Sequence, residues 1–142
     1  QDPHGEAGVI AIFASRMLDG RRVTIFGDGT AARDYVYVDD VVDAFVRAGR
    51  APLTTVGTYN VGTGRQATVT EVHELIGAFL GEVPPPCYAE SRTGELQAIA
   101  LDATRAQREF GWLPEVHLAE GIQRTMEWLR EILDPEPALL EA

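Results

Sequence analysis

Apolar residues recur at helical spacing in several stretches of this chain, and this pattern predicts amphipathic helices. The stretches are residues 7–18, the residues after Asp39 and Asp40, the residues after Thr68, residues 102–111 and residues 118–133. Asp39 is the expected N-cap of the second helix. The third helix has the clearest signal, because Thr68 and Glu71 have capping-box spacing and Gly81 can form the C-cap. Four or five helices are therefore expected.

Short runs of β-branched and aromatic residues lie between the predicted helices and are typical of strands. Residues 23–26 and 35–38 flank a glycine turn, and further strands are expected at 55–61 and 87–90. Short strands alternating with helices predict a small α/β or α+β layer domain. We expect this domain to span residues 1–133. Residues 134–142 are expected to form a mobile tail, because two prolines interrupt regular structure there.

The charge balance excludes several classes of function. The 142 residues carry 22 acidic and 12 basic side chains, so nucleic acid and anionic membranes are not expected partners. Every basic residue is an arginine, which leaves no lysine for a Schiff base or a phosphate-binding loop. The single cysteine, Cys87, and the lack of a long apolar run or a signal-peptide pattern predict a cytoplasmic protein.

Two glycine turns match the letters of the dinucleotide-binding fingerprint but not its context. The turn at 62–67 is followed by a helix that begins only at Thr68, and the turn at 27–32 is followed by a strand. The three histidines show no ligand spacing with one another or with Cys87. The sequence therefore predicts no catalytic residue, no cofactor-binding residue and no metal ligand within this chain.

Two arginine clusters remain as candidate binding residues. Arg33 follows the first glycine turn, and Arg92 lies close to Glu95 after a run of three prolines. Arginine forms bidentate, charge-assisted hydrogen bonds to phosphate, so two converging guanidinium groups can hold a diphosphate. A neighbouring carboxylate can then accept hydrogen bonds from ribose hydroxyls. The alternative is that each arginine only pairs with an acidic residue at the surface.

Seven segments, in order along the chain, resemble the C-terminal substrate-binding part of the nucleotide-sugar epimerases and dehydratases, in the extended short-chain dehydrogenase/reductase group. The segments are Gln1-Asp-Pro, Gly8-Val-Ile-Ala-Ile-Phe, Val23-Thr-Ile-Phe-Gly-Asp-Gly, Arg33-Asp-Tyr-Val-Tyr-Val-Asp-Asp-Val-Val, Tyr59-Asn-Val-Gly-Thr-Gly, Arg92-Thr-Gly-Glu and Gly111-Trp-Leu-Pro. Within this family, the UDP-hexose 4-epimerases resemble the chain most. The resemblance extends to about residue 133.

The resemblance implies a role for each candidate residue. Arg33 and Arg92 correspond to a diphosphate clamp, and Glu95 corresponds to the carboxylate that meets the ribose. The other implied substrate contacts are the backbone of Thr24, Ile25 and Phe26 along the uracil, and Gly8 and Val9 near the phosphate or sugar. Many epimerases have asparagine and leucine where Gly8 and Val9 stand, so here only main-chain N–H groups at a helix N-terminus can serve.

The resemblance also implies NAD as cofactor, a UDP-sugar as substrate and a homodimeric whole enzyme. NAD and the family's Tyr-x-x-x-Lys pair are expected in an N-terminal Rossmann domain outside this chain, which alone is expected to be inactive. The implied reaction is oxidation and re-reduction of the sugar at C4. A dTDP-glucose 4,6-dehydratase, a UDP-glucuronate decarboxylase and a free-standing, non-catalytic binding module are the alternatives.

Overall fold

A computed structural model describes residues 8–133, which form five helices and four short strands. The helices are α1 (Val9–Leu18), α2 (Val38–Arg50), α3 (Val69–Leu80), α4 (Thr104–Phe110) and α5 (Leu118–Leu133). The strands are β1 (Thr24–Phe26), β2 (Ala32–Arg33), β3 (Ala67–Thr68) and β4 (Cys87–Ala89). This small mixed α/β arrangement confirms the predicted fold class. The expected tail at 134–142 lies outside the described residues.

The strands pair in two separate sheets rather than in a hairpin around the first glycine turn. β1 pairs in parallel with β4, placing Ile25 opposite Tyr88, and β2 pairs antiparallel with β3. The predicted strand at 35–38 is wrong, because residues 34–37 are irregular and α2 begins at Val38. The aromatic side chain of Tyr35 packs against the main hydrophobic core instead of extending a sheet.

The predicted strand at 55–61 is also wrong. No strand within residues 8–133 pairs with this segment, and Arg105 holds it in an irregular conformation instead. The Arg105 guanidinium donates to the carbonyl oxygens of Val56 (3.0 Å) and Thr58 (3.1 Å) and lies 4.3 Å from the centre of the Tyr59 ring. Side-chain contacts from α4 therefore replace the missing sheet partner.

The predicted caps of α3 form, whereas the predicted N-cap of α2 does not. The predicted capping box of α3 is confirmed, since Thr68 Oγ1 accepts from the Glu71 amide and the Glu71 carboxylate accepts from the Thr68 amide. Gly81 forms the predicted C-cap with φ +89°. The prediction of Asp39 as an N-cap is wrong. Tyr37 occupies that position, and Asp39 lies in the first turn, where its negative charge interacts favourably with the helix dipole.

The core has two parts, and a buried carboxylate joins the smaller part to the rest. The main cluster packs α1, α3 and α5 around the fully buried Ile25, and the smaller one surrounds Trp112. Asp40 is buried, and its carboxylate accepts from the amides of Glu115 and Val116, each at 3.1 Å. These bonds tie α2 to the segment that leads into α5. None of the five described helices has the length and apolarity needed to span a bilayer.

Candidate functional site

Arg33, at the end of β2, contacts the loop that follows β4. Its Nη1 atom donates to the carbonyl oxygens of Ala32 (2.9 Å) and Leu96 (2.7 Å). Its Nη2 atom lies 3.4 Å from Glu95 Oε1, and the two side chains are 32% and 29% exposed. Charge-assisted bonds are usually close to ~2.8 Å, so this ion pair is a loose one. The guanidinium is therefore fixed through Nη1 and weakly held through Nη2.

Arg92 lies on the same loop and stacks on Phe26 from β1. Its Cζ atom is 4.1 Å from the centre of the Phe26 ring. The Glu95 amide donates to the Arg92 carbonyl (3.2 Å), so one turn carries both residues. Phe26, Arg33, Arg92 and Glu95 consequently form one connected surface, which we call the arginine site. The structure thus brings together four of the residues that the sequence singled out.

The loop of the arginine site is anchored to β2 by main-chain hydrogen bonds. The Ala32 amide donates to the Gln97 carbonyl (2.7 Å), and the Ile99 amide donates to the Ala32 carbonyl (3.2 Å). Both bonds are made by the main chain of Ala32, the residue directly before Arg33. Since they fix the loop on both sides of Ala32, the positions of Arg33 and Glu95 relative to each other are set by the backbone rather than by their ion pair alone.

β1 pairs with β4 along one edge, and the main-chain hydrogen-bonding groups along its other edge face away from β4. The Cys87 amide donates to the Val23 carbonyl, and the Gly27 amide donates to the Ala89 carbonyl, both at 2.9 Å. In a parallel pair alternate residues bond to the same neighbour, so the main-chain groups of Thr24 and Phe26 face the opposite edge. No strand within residues 8–133 pairs with that edge. Ile25, whose side chain is fully buried, belongs to the core.

Gly8 and Val9 lie at the N-terminus of α1, and the contacts of Arg33 and Arg92 described above are made with other residues. Gly8 is the N-cap, and the first turn of α1 contains no acidic residue. The next residues, Ile10 and Ala11, line a groove of about 570 Å³ between α1 and α5. Tyr35, two residues after Arg33, lines the same groove, but Arg33 and Arg92 do not. The groove is thus lined by residues that follow Val9 and Arg33 in the sequence, and by neither Val9 nor Arg33 itself.

The side chain of Asp34 binds the glycine turn at 62–67, which resembles a dinucleotide-binding fingerprint. Its carboxylate accepts from the amides of Thr63 (2.9 Å), Gly64 (2.9 Å) and Leu101 (3.1 Å). A Cβ atom at Gly62 would lie 2.8 Å from both Asp34 Oδ2 and the Leu101 Cβ atom. The amides that a pyrophosphate would need are therefore already used, so this turn does not fit NAD.

The pKa of Asp34 reflects the same contacts. Burial opposes ionisation of the carboxyl, but the hydrogen bonds from Thr63, Leu101 and Gly64 outweigh it and hold the pKa below the ordinary value for aspartate. Asp34 is not among the residues that the sequence pattern singled out, and its partners lie 29, 30 and 67 positions away, so no local signal identifies its role.

Comparison with known proteins finds similarity to nucleotide-sugar epimerases and dehydratases. A family model described as the NAD dependent epimerase/dehydratase family matches residues 1–62. A UDP-glucose 4-epimerase of Mycolicibacterium smegmatis is 52% identical over 130 residues, which are 92% of this chain and 41% of that protein. This chain is a relative of the NAD-dependent epimerases and dehydratases.

Relatives of this family with different activities also match. A dTDP-glucose 4,6-dehydratase of Streptomyces griseus is 37% identical over 127 residues, covering 84% of this chain and 37% of that protein. A crystal structure of Thermotoga maritima UDP-glucose 4-epimerase with UDP-glucose superimposes with a TM-score of 0.87 and 45% identity, covering 94% of this chain and 43% of that one. The chain thus spans about two fifths of the length of these relatives.

Proposed function

We propose that this chain is the substrate-binding part of an NAD-dependent nucleotide-sugar 4-epimerase and that it binds the nucleotide of a UDP-hexose. The observation that carries the proposal is the arginine site, in which one turn holds Arg92 and Glu95 next to Arg33. The similarity to an epimerase whose structure contains UDP-glucose supports the choice of nucleotide sugar. Such a site concentrates positive charge locally on a chain with a formal net charge of −10.

In the proposed complex the two arginines hold the diphosphate. The carbonyl oxygens of Ala32 and Leu96 fix Arg33, so its Nη2 donors are presented without a further loss of side-chain freedom. Arg92 has its Cζ atom 4.1 Å from the centre of the Phe26 ring, a contact that does not use the hydrogen-bonding capacity of all its N–H groups. Both arginines can therefore donate to phosphate oxygens while Arg33 keeps its bonds to Ala32 and Leu96 and Arg92 keeps its contact with Phe26.

The base and the ribose would lie along β1 and the adjoining turn. A uracil ring has both N–H and C=O groups, and these match the main-chain edge at Thr24 and Phe26, with which no strand of residues 8–133 pairs. Glu95 would accept hydrogen bonds from the ribose hydroxyls. We further propose that main-chain groups of Gly8 and Val9 face the sugar end of the substrate across the groove that Tyr35 lines.

The redox chemistry of the proposed enzyme belongs to a part of the relatives that this chain does not match. This chain has no lysine, so it cannot supply the Tyr-x-x-x-Lys pair of the family, and its glycine turn at 62–64 is filled by Asp34. We therefore propose that an N-terminal Rossmann domain carries NAD and the catalytic pair, that the whole enzyme is a homodimer, and that this chain alone is inactive. Its contribution is to position the nucleotide.

An exposed apolar stripe on α2 supports the existence of a partner domain. Val38, Val42, Phe45 and Val46 follow helical spacing, and Phe45 is 75% exposed. Their opposite neighbours on the helix, Asp40 and Ala44, are buried against the rest of the chain. Contiguous apolar side chains at a surface are typical of protein–protein contacts. We propose that the dinucleotide-binding part of the enzyme covers this stripe.

Replacement of Phe45 by serine tests the proposed contact. Because the side chain is exposed, the free energy of unfolding of this chain is expected to change by less than about 0.5 kcal/mol. Binding to the remaining part of the Mycolicibacterium smegmatis relative, produced as a separate polypeptide, is expected to weaken about tenfold. Sedimentation velocity of the mixture measures this. Tyr88→Ser, at an exposed position on β4, is the matched control.

Any of three outcomes would count against this contact. Destabilisation of the chain by Phe45→Ser would show that Phe45 packs within the chain. Equal weakening by Phe45→Ser and Tyr88→Ser would show that α2 is not the contact surface. Self-association of the wild-type chain that disappears with Phe45→Ser, with no effect on the added partner, would assign the stripe to a second copy of this chain.

Binding of UDP to single-arginine variants tests the proposed function. Wild-type chain titrated with UDP and followed by two-dimensional NMR is expected to show shifts at the arginine site, with weak affinity because part of the pocket is absent. Arg33→Ala and Arg92→Ala are each expected to weaken binding about tenfold or more, since each removes charge-assisted bonds to phosphate. Arg108→Ala, at an exposed position on α4, is expected to leave affinity unchanged.

Absence of UDP-dependent shifts in the wild-type chain, or unchanged affinity in both variants, would refute the proposal. A second candidate function is that of a dTDP-glucose 4,6-dehydratase, which the Streptomyces griseus relative favours. The two nucleotides differ in the base that β1 must accept and in the 2′-hydroxyl, which dTDP lacks and which Glu95 would bind in UDP. Comparison of UDP with dTDP in the same titration separates them, because the 4-epimerase proposal predicts tighter binding of UDP.

A further inference from the structure

The ion pair between Arg33 and Glu95 uses the donor that a bound phosphate would need. Arg33 Nη1 is engaged by the carbonyl oxygens of Ala32 and Leu96, and Nη2 lies next to Glu95 Oε1. An anion approaching the arginine site from solvent therefore meets a guanidinium that is already shared with a carboxylate. Nη2 carries two N–H groups, so a phosphate would share this nitrogen with Glu95, and the two negative groups compete for the same positive charge.

We propose that Glu95 is an internal competitor at the phosphate site, and that its carboxylate moves from Arg33 to the ribose hydroxyls when a ribonucleotide diphosphate binds. The inference rests on the proposed function, because it takes the arginine site as the place where the nucleotide binds. It adds that the same carboxylate disfavours anions that lack a ribose. Glu95 is then a specificity-determining residue rather than only a ribose ligand.

The geometry makes such an exchange inexpensive. The contact between Nη2 and Oε1 is 3.4 Å long, and both side chains are about one third exposed, so solvent already weakens the pair. The main chain of Glu95 is held by the hydrogen bond from its amide to Arg92, and Gln97 and Ile99 anchor the loop to Ala32. Only side-chain rotation of Glu95 is therefore needed, and Arg33 keeps its two carbonyl partners.

The exchange gives selectivity because a displaced carboxylate needs new donors. When the ligand carries ribose hydroxyls, the carboxylate gains hydrogen bonds in place of the ion pair. When the ligand is inorganic pyrophosphate, the displaced carboxylate stays close to the added negative charges without a donor, which is unfavourable. The chain is thereby expected to reject free pyrophosphate more strongly than its two arginines alone would predict.

The test compares three ligands on two charge-neutralising variants of the full 142-residue chain. The ligands are inorganic pyrophosphate, UDP and 2′,3′-dideoxyUDP, each titrated by NMR or calorimetry at constant ionic strength. Glu95→Gln removes the competing charge with almost the same shape. Glu90→Gln removes one charge from an exposed residue just after β4 and controls for the general electrostatic effect.

Glu95→Gln is expected to strengthen pyrophosphate binding about two- to fivefold, which is the range set by the loss of a partly exposed ion pair. Glu90→Gln is expected to change it by less than about twofold. The preference for UDP over its dideoxy analogue should fall at least about threefold in Glu95→Gln and stay unchanged in Glu90→Gln.

Unchanged or weaker pyrophosphate binding by Glu95→Gln, or a change no larger than that of Glu90→Gln, would overturn the exchange. Tighter pyrophosphate binding with an unchanged ribose preference would also overturn it, since the carboxylate would then compete without moving to the ribose. Arg33→Ala separates this failure from failure of the proposed function. If that variant binds UDP as well as wild type does, the arginine site is not the nucleotide site and both proposals fall.

Discussion

Replacement of Trp112 by alanine is expected to lower the free energy of unfolding by about 4 kcal/mol, because the largest buried side chain of the smaller core cluster would be lost. Trp112 follows Gly111, the left-handed C-cap of α4, and packs with Ala44 and Ala106. Its Nε1–H donates to the Asp40 carbonyl at 2.8 Å. The substitution therefore creates a cavity and removes the Trp112 N–H group that donates to the Asp40 carbonyl.

The other tryptophan of the chain gives a matched control. Trp128 lies on α5 and is 53% exposed, so Trp128→Ala is expected to cost about 1 kcal/mol or less. Urea unfolding followed by far-UV circular dichroism measures both changes without depending on tryptophan fluorescence. Equal destabilisation by the two substitutions would show that the buried Trp112 contributes no more to stability than the exposed Trp128 does.

The helices could be predicted from the sequence because their signals are local. In α3 the capping residues Thr68 and Glu71 are three positions apart, and in α5 the apolar face repeats over four turns. Each such signal lies within a few residues of the structure that it specifies. The Asp39 error, by two residues, is of the same local kind: an acidic residue is favourable both as the N-cap and in the first turn of a helix.

The expected strands at 23–26 and 87–90 are confirmed as β1 and β4, but the pairing of the strands could not be predicted, since each strand is only two or three residues long and its partner is distant in the sequence. Strand propensity was equally high at 35–38 and at 55–61, where no strand forms. At Tyr35 packing against the helical core overrides that propensity, and at Val56 and Thr58 the hydrogen bonds from Arg105 do. Pairing partners, rather than local composition, decide which runs become strands.

The candidate site was visible in the sequence as separate residues but not as an arrangement. Arg33 and Arg92 were singled out by charge chemistry, and the family resemblance added Glu95 and the β1 strip. The stacking of Arg92 on Phe26 and the sharing of Arg33 with Glu95 depend on the loop after β4, which joins two distant parts of the chain. The role of the β1 strip stays a prediction; within it, the main-chain groups of Thr24 and Phe26 face away from β4, whereas Ile25 lies in the core.

Adjacent residues in this region contact different parts of the structure. Arg33 contacts the loop that carries Glu95, and Asp34 binds the glycine turn at 62–64. The position of the arginine site therefore depends on an aspartate that has no proposed contact with substrate. This dependence can be measured through stability, since Asp34 is the acceptor for three main-chain amides.

Replacement of Asp34 by asparagine is expected to lower the free energy of unfolding at pH 7 by about 2 kcal/mol. This value is smaller than the loss of three hydrogen bonds to a fully buried carboxylate, because Asp34 is partly exposed. The folded-state pKa of Asp34 is depressed, so its contribution is fully present above its unfolded value of 3.8. It is lost as the pH falls below about 4 through the folded pKa. The stability difference between wild type and Asp34→Asn should therefore be constant near neutrality and shrink below about pH 4.

Urea unfolding between pH 7 and pH 2.5 measures this difference, and Asp39→Asn is the matched control. Asp39 is exposed and lies 3.8 Å from Arg124, so its substitution is expected to change stability by less than about 0.5 kcal/mol at any pH. Other carboxyls with depressed pKa values, such as that of Glu109 at about 2, remain in both proteins and cancel in the comparison. A difference between wild type and Asp34→Asn that stays constant down to pH 2.5 would mean that the ionised carboxylate does not hold the glycine turn.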